Sequence, residues 1–175
     1  IIDRNPECSL IVHQCFLMKK GRVEAKPSMS HGSKQRIIEK GEVVSLPGQF
    51  SPTASYLIKR EVFDALPKWF KEAPVGDYFL ECYSFKLGEV IYIPCAYSVY
   101  RIQAEGSWSL VTKASGQKMK TFALSMYNSL MLMREDEFFK NSDVDKKIAA
   151  SLLGIAKGAL VNSEYSEFKS NIEES

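Results

Sequence analysis

Residues 8–18, CSLIVHQCFLM, are a dense apolar run with β-branched and aromatic members, which predicts a strand covered on both faces. Lys19-Lys20-Gly21-Arg22 predicts a turn with exposed charge. Residues 25–35 carry Pro, Gly and Ser and predict a surface loop. Residues 33–41 predict a short helix, with Ser33 as N-cap and Gly41 as its stop. Pro47, Gly48 and Pro52 mark irregular chain. Residues 53–59 predict a second strand, and 60–66 a short helix that stops before Pro67. From Tyr78 to Leu87, Phe79, Leu80, Tyr83 and Leu87 fall at helical spacing, and Gly88 ends the element. Residues 89–94 and 96–101 predict two short strands, the second with one buried face.

The pattern changes after about residue 115. Met119, Phe122, Ala123, Met126, Leu130 and Met133 recur at helical spacing through 117–139. Ile148, Leu152, Ile155 and Ala159 do so through 144–161, with Asn141-Ser142-Asp143 as loop and cap between. The expected class is therefore α/β, with residues 1–115 alternating strands and helices and residues 116–175 forming a helical extension. Core packing is the preferred reading of the methionines; an adaptable partner surface is the other.

Composition narrows the function classes. With 23 Lys+Arg against 21 Asp+Glu and a net charge of +2, the chain gives no electrostatic case for nucleic acid as a partner. No run of about 18 uncharged apolar residues predicts a membrane span. Asp3, Arg4 and Glu7 interrupt the opening residues, against a signal peptide. The start at Ile1-Ile2-Asp3, followed by Asn5-Pro6-Glu7, reads as a helix end leading into a strand, as if the sequence began partway through a domain. Cys8, Cys15, Cys82 and Cys95 make no C-x-x-C pair, so a zinc site is not expected among them, and each is read as a reduced, buried thiol.

A few residues carry candidate chemistry. Asp77 lies between a Pro-Val-Gly turn and an amphipathic helix. It is either an ordinary N-cap or a carboxylate poised as general base, since a helix N-terminus favours the ionised form. Arg101 closes a strand, where it either caps the sheet or holds an anion bidentately. Trp108 is either core filler or a stacking platform. His13 is expected in the core or at a sheet edge, and His31 in solvent. No G-x-S-x-G, P-loop or G-x-G-x-x-G occurs.

One stretch is more specific than its parts. Thr53, Ser55 and Arg60 are followed by Leu66-Pro67-x-Trp69. Gly76-Asp77-Tyr78-x-Leu80 comes next, then Gly88 to Ile93, Ser98-Val99-Tyr100-Arg101 and Ser107-Trp108-Ser109. In order and spacing this resembles the acceptor-side half of family 2 glycosyltransferases, the inverting enzymes of GT-A fold. NPECSLIVHQCF is similar to the strand that follows their metal-binding motif. The resemblance spans residues 1–110.

The resemblance implies a partial GT-A sheet with a helical tail, and inverting transfer of a sugar from a nucleotide-sugar donor to the hydroxyl of a carbohydrate or lipid-linked acceptor. It places the base at Asp77 and substrate contacts at Gly76, Tyr78, Thr53, Ser55, Arg101, Gln103 and Trp108. It implies a divalent metal, Mn or Mg, held mainly by an Asp-x-Asp motif that these residues do not contain: Asp143-x-Asp145 falls in the helical tail. Where many relatives have a metal-assisting His, two residues past the Arg, this chain has Gln103, and no metal ligand is assigned here. Bacterial surface polysaccharide synthesis in the cytoplasm, in places at the inner face of the membrane, is the implied setting. The chain alone is expected to be inactive for lack of a donor-binding half. The alternative is a non-catalytic binding or assembly module, with the tail docking a twin subunit or a membrane.

Overall fold

The computed structural model describes residues 4–105, 107, 115–140, 142–161 and 165–174. The chain is α/β and divides into two units. One holds residues 1–68 and 75–104; the other holds 69–74 and 105–175.

The first unit is built on a mixed sheet. Strand β1 (Cys8–Lys19) turns through Lys20-Gly21 into β2 (Arg22–Ser28), antiparallel, with Lys19 opposite Arg22. Both turn residues have positive φ, 49° and 76°, the two-residue hairpin geometry that matches strand twist. β2 replaces part of the loop expected over 25–35. It is an exposed edge strand, and Pro27 and its charged neighbours read as loop because an edge tolerates both. Strand β3 (Arg36–Ile38) and helix α1 (Lys40–Val44) stand where a helix over 33–41 was expected. The cap is Glu39, which shares a capping box with Glu42, and not Ser33. Residues 53–59 form only a 3-10 turn (Thr53–Ser55) and a two-residue strand, β4 (Leu57–Ile58). Helix α2 (Glu61–Asp64) and helix α3 (Asp77–Ser84) follow.

Strand β5 (Glu89–Arg101) runs unbroken where two strands were expected. The break signalled by Pro94 is a bulge: His13 pairs with Ile93, but Gln14 pairs with Ala96. The sheet order is β2-β1-β5-β3, with β4 also on β1; β1 and β5 are parallel. Before the bulge the two strands are buried continuously, at Leu10, Ile11 and Val12 and at Val90 to Ile93. Beyond it, β5 alternates between half-buried and exposed, the mark of one open face. Gly88 joins α3 to β5 at a close backbone approach: a Cβ there would lie 2.0 Å from the Glu7 carbonyl oxygen, which accepts from Glu89 N–H at 2.8 Å. Cys8, Cys15 and Cys82 are buried free thiols, whereas Cys95 is exposed, because the bulge turns that stretch outward.

The second unit is helical: α4 (Gly116–Arg134), α5 (Ser142–Val161) and α6 (Tyr165–Glu174). Ser115 caps α4 by accepting from Lys118 N–H. Met126, Leu130 and Met133 of α4 are buried, as are Ile148, Leu152 and Ile155 of α5, so these methionines are core. The two helices approach closely at Gly158, where a Cβ would meet the Lys120 Cβ at 2.7 Å and its Cα at 3.1 Å. Phe139 closes the connection, fully buried after a 3-10 turn capped by Asp136. Among the described residues no helix is long and apolar enough to cross a membrane.

Candidate functional site

Helix α3 is buried nearly all round, at Tyr78, Phe79, Glu81, Cys82, Tyr83 and Ser84. Its cap is Gly76, and Asp77 is its first helical residue. Asp77 is half-buried, and its Oδ1 accepts from the adjacent Tyr78 N–H at 2.8 Å. The carboxylate therefore sits in the first turn, beside amides that favour negative charge.

One turn further along α3, four residues from Asp77, lies Glu81. It is 1% exposed. Its Oε1 accepts from Ser51 N–H at 2.9 Å and from the Tyr56 hydroxyl at 2.5 Å. The Ser51 carbonyl, 3.1 Å from that hydroxyl, is an alternative acceptor for its single proton. Oε2 is buried and has no hydrogen-bond partner, and the buried Ser51 hydroxyl is likewise unpartnered. Burial pushes the Glu81 carboxyl up to about 7; the bonds from Tyr56 and Ser51 oppose this, and the charge of Asp77 adds to it. Tyr56 is pushed upward too, by burial first and then by the charge of Glu81. A clue was present in the sequence: Glu81 is a charge set between Phe79-Leu80 and Cys82-Tyr83, four residues from Asp77.

The other expected site residues divide. Thr53 and Ser55 belong to the loop that Glu81 grips. Thr53 is exposed, while the buried Ser55 hydroxyl donates to the Pro52 carbonyl at 2.8 Å. Gly76 is exposed beside Asp77. Tyr78 is buried, and its hydroxyl donates to the Val44 carbonyl at 2.9 Å, tying α3 to α1. Arg101 is exposed at the end of β5, past the bulge, and Gln103 follows with φ 53°. No hydrogen bond among the described residues joins either to Asp77. Trp108 lies outside the described residues.

His31 is not solvated as expected. Its ring stacks on Phe50 at 3.8 Å and 6°, with Tyr92 edge-on at 5.3 Å. Its Nε2 lies 2.9 Å from the Phe50 carbonyl, which can only accept, so Nε2 carries the proton. Burial pushes its pKa down, keeping the ring neutral. Arg36 donates to the His31 carbonyl and pairs bidentately with Glu42. The stack therefore holds the chain that leads into Ser51 and the Glu81 contact.

Among the described residues no group of three or more His, Cys, Asp or Glu is placed to hold a metal ion. No protein-family model, curated protein or solved structure matches the chain.

Proposed function

We propose that this chain is the acceptor-side part of an inverting family 2 glycosyltransferase, with its mixed α/β sheet forming part of a GT-A fold. The observation that carries this reading is Asp77: a half-buried carboxylate in the first turn of α3, at the Gly76-Asp77-Tyr78 motif. Beside it stands the loop bearing Thr53 and Ser55, held to the same helix through Glu81.

In this reading Asp77 accepts the proton of an acceptor hydroxyl as its oxygen attacks the anomeric carbon of the donor. The bond from that carbon to the diphosphate breaks, and its electron pair leaves with the nucleoside diphosphate. A general base so placed contributes about 10²–10⁴-fold. Arg101, exposed and always charged, is suited to an anionic group of donor or acceptor. A divalent ion bound elsewhere in the enzyme would neutralise the leaving diphosphate. Transfer is thus proposed for the chain joined to a donor-binding half, acting in the cytoplasm on a carbohydrate or lipid-linked acceptor of bacterial surface polysaccharide.

The test is transfer of labelled sugar from a panel of UDP-, GDP- and dTDP-hexoses to acceptors extracted from bacterial membranes, by the intact transferase and its Asp77→Asn variant. The expected result is transfer by the parent and a loss of at least about 100-fold in the variant. Transfer by the variant near the parent rate overturns the base assignment, and no transfer from any donor overturns the activity.

A further inference from the structure

Glu81 does more than fill the core. A buried carboxyl costs free energy unless every lone pair is answered, and here one oxygen is doubly gripped while the other is left without a partner. An apolar side chain would fill the same space without that cost. The geometry also gives the group two connections. Through Oε1 it fastens Ser51 and Tyr56, and with them Thr53 and Ser55, to α3. Through its place four residues on, it lies one helical turn from Asp77, near enough for their charges to interact.

We propose that Glu81 is a positioning residue for Asp77: its carboxyl holds the 50–56 loop against α3 and, one turn away, adjusts how readily Asp77 accepts a proton. The inference rests on the reading of Asp77 as base. An ionised Glu81 puts a second negative charge beside Asp77 and favours arrival of the acceptor's proton there; a neutral Glu81 does not. The surroundings are short of compensating charge. Glu81 has no ion pair among the described residues. Of the elements packed on α3, α1 bears Lys40 and Glu42, and Glu42 is taken by Arg36. α2 bears Glu61 and Asp64, both exposed, and β1 bears Cys8, His13, Cys15 and, at its far end, the exposed Lys19. The loop contributes Tyr56, and α3 itself contributes Asp77, Tyr78, Cys82 and Tyr83. With burial holding its carboxyl near 7, Glu81 changes charge within the working range of an enzyme.

The experiment compares pH profiles of kcat/KM for the intact transferase and its Glu81→Gln and Tyr56→Phe variants, with Asp77→Asn as the reference. The parent should gain about threefold to tenfold in rate as pH rises through 7. In Glu81→Gln, which keeps an acceptor for Ser51 and Tyr56, that rise should vanish. In Tyr56→Phe it should move to higher pH, because a bond that favours the ionised carboxyl is gone. A purely structural Glu81 would lower rates equally at every pH. Superimposable normalised profiles of the parent and Glu81→Gln overturn the inference, provided Asp77→Asn is inactive. An active Asp77→Asn overturns the base reading instead. The loop tie is read separately in the 175-residue chain. The Ser51 amide proton resonance should titrate near pH 7 in the parent and stay flat in Glu81→Gln, and a flat resonance in both overturns the tie. If Glu81→Gln fails to fold, Tyr56→Phe decides, and an unmoved rise in that variant overturns the inference.

Discussion

The two units of the chain place their polar groups differently. In the sheet-bearing unit Glu81, Tyr56, Ser51, His31 and Tyr92 are wholly or largely buried, and the Glu81 Oε2 and the Ser51 and Ser98 hydroxyls go unanswered. In the helical unit the described buried polar groups are Ser129, Ser151 and Lys147, and ion pairs such as Arg134–Asp145 and Lys169–Glu173 lie in solvent, over a core of Met126, Leu130, Met133, Ile148, Leu152 and Ile155. A unit selected for stability alone has no reason to bury a lone carboxyl, since apolar replacements of similar volume are commonly neutral or better. The difference is one of kind: the first unit buries a carboxyl with one oxygen unanswered, whereas the second buries its polar groups within a helix pair.

Four substitutions probe that contrast, from large to small. Gly88→Ala puts a Cβ into the Glu7 carbonyl, where backbone on both sides blocks relief. It should cost at least about 3 kcal/mol, read by urea unfolding, and the chain is expected to lose its cooperative transition. A loss below about 1 kcal/mol would mean that the β1–β5 junction is looser than described.

Next in size is the pH dependence of stability set by Glu81. Burial raises its folded pKa to about 7 from an ordinary 4.5. The unfolded chain therefore releases this proton first as pH rises. The group's contribution is fully present below about pH 4.5 and is lost as pH climbs through 7, for a total on the order of 3 kcal/mol. Urea midpoints at pH 5 and pH 8 should differ in the parent and draw together in Glu81→Gln; an equal difference in both would show that another group is responsible.

In the helical unit, Gly158→Ala should destabilise by about 1–2 kcal/mol. Helix propensity alone predicts a gain of about 1 kcal/mol, so the sign of the change in melting temperature separates close helix contact from a loose hairpin. Arg134→Ala, which removes the pair with Asp145, should cost under about 1 kcal/mol, and less in high salt. A larger, salt-resistant loss would mean that this pair is held more tightly than a solvated one.

The sequence was most legible where burial follows a simple period. β1, the helix after Gly76 and the two long tail helices are visible because their apolar residues repeat without competition. β2 was missed because an edge strand can be polar on both faces, and Pro27 reads as a breaker. The join at Pro94 was read as an end because a bulge and a turn share the same residues. Residues 53–59 alternate like a strand, yet Ser55 and Tyr56 turn inward to the Pro52 carbonyl and to Glu81, contacts that only the folded chain brings together. The site shows the same limit. Asp77 is marked by the turn before it and by the Gly-Asp-Tyr motif, whereas the state of Glu81 depends on burial and on partners 25 and 30 residues away.

The central claim is that Asp77 takes the acceptor's proton. Single-turnover transfer by Asp77→Asn in the intact transferase, with donor affinity measured on the same protein by titration calorimetry, tests it most directly. The account predicts a chemical step slowed by at least about 100-fold with donor affinity unchanged. A chemical step within about threefold of the parent would contradict it.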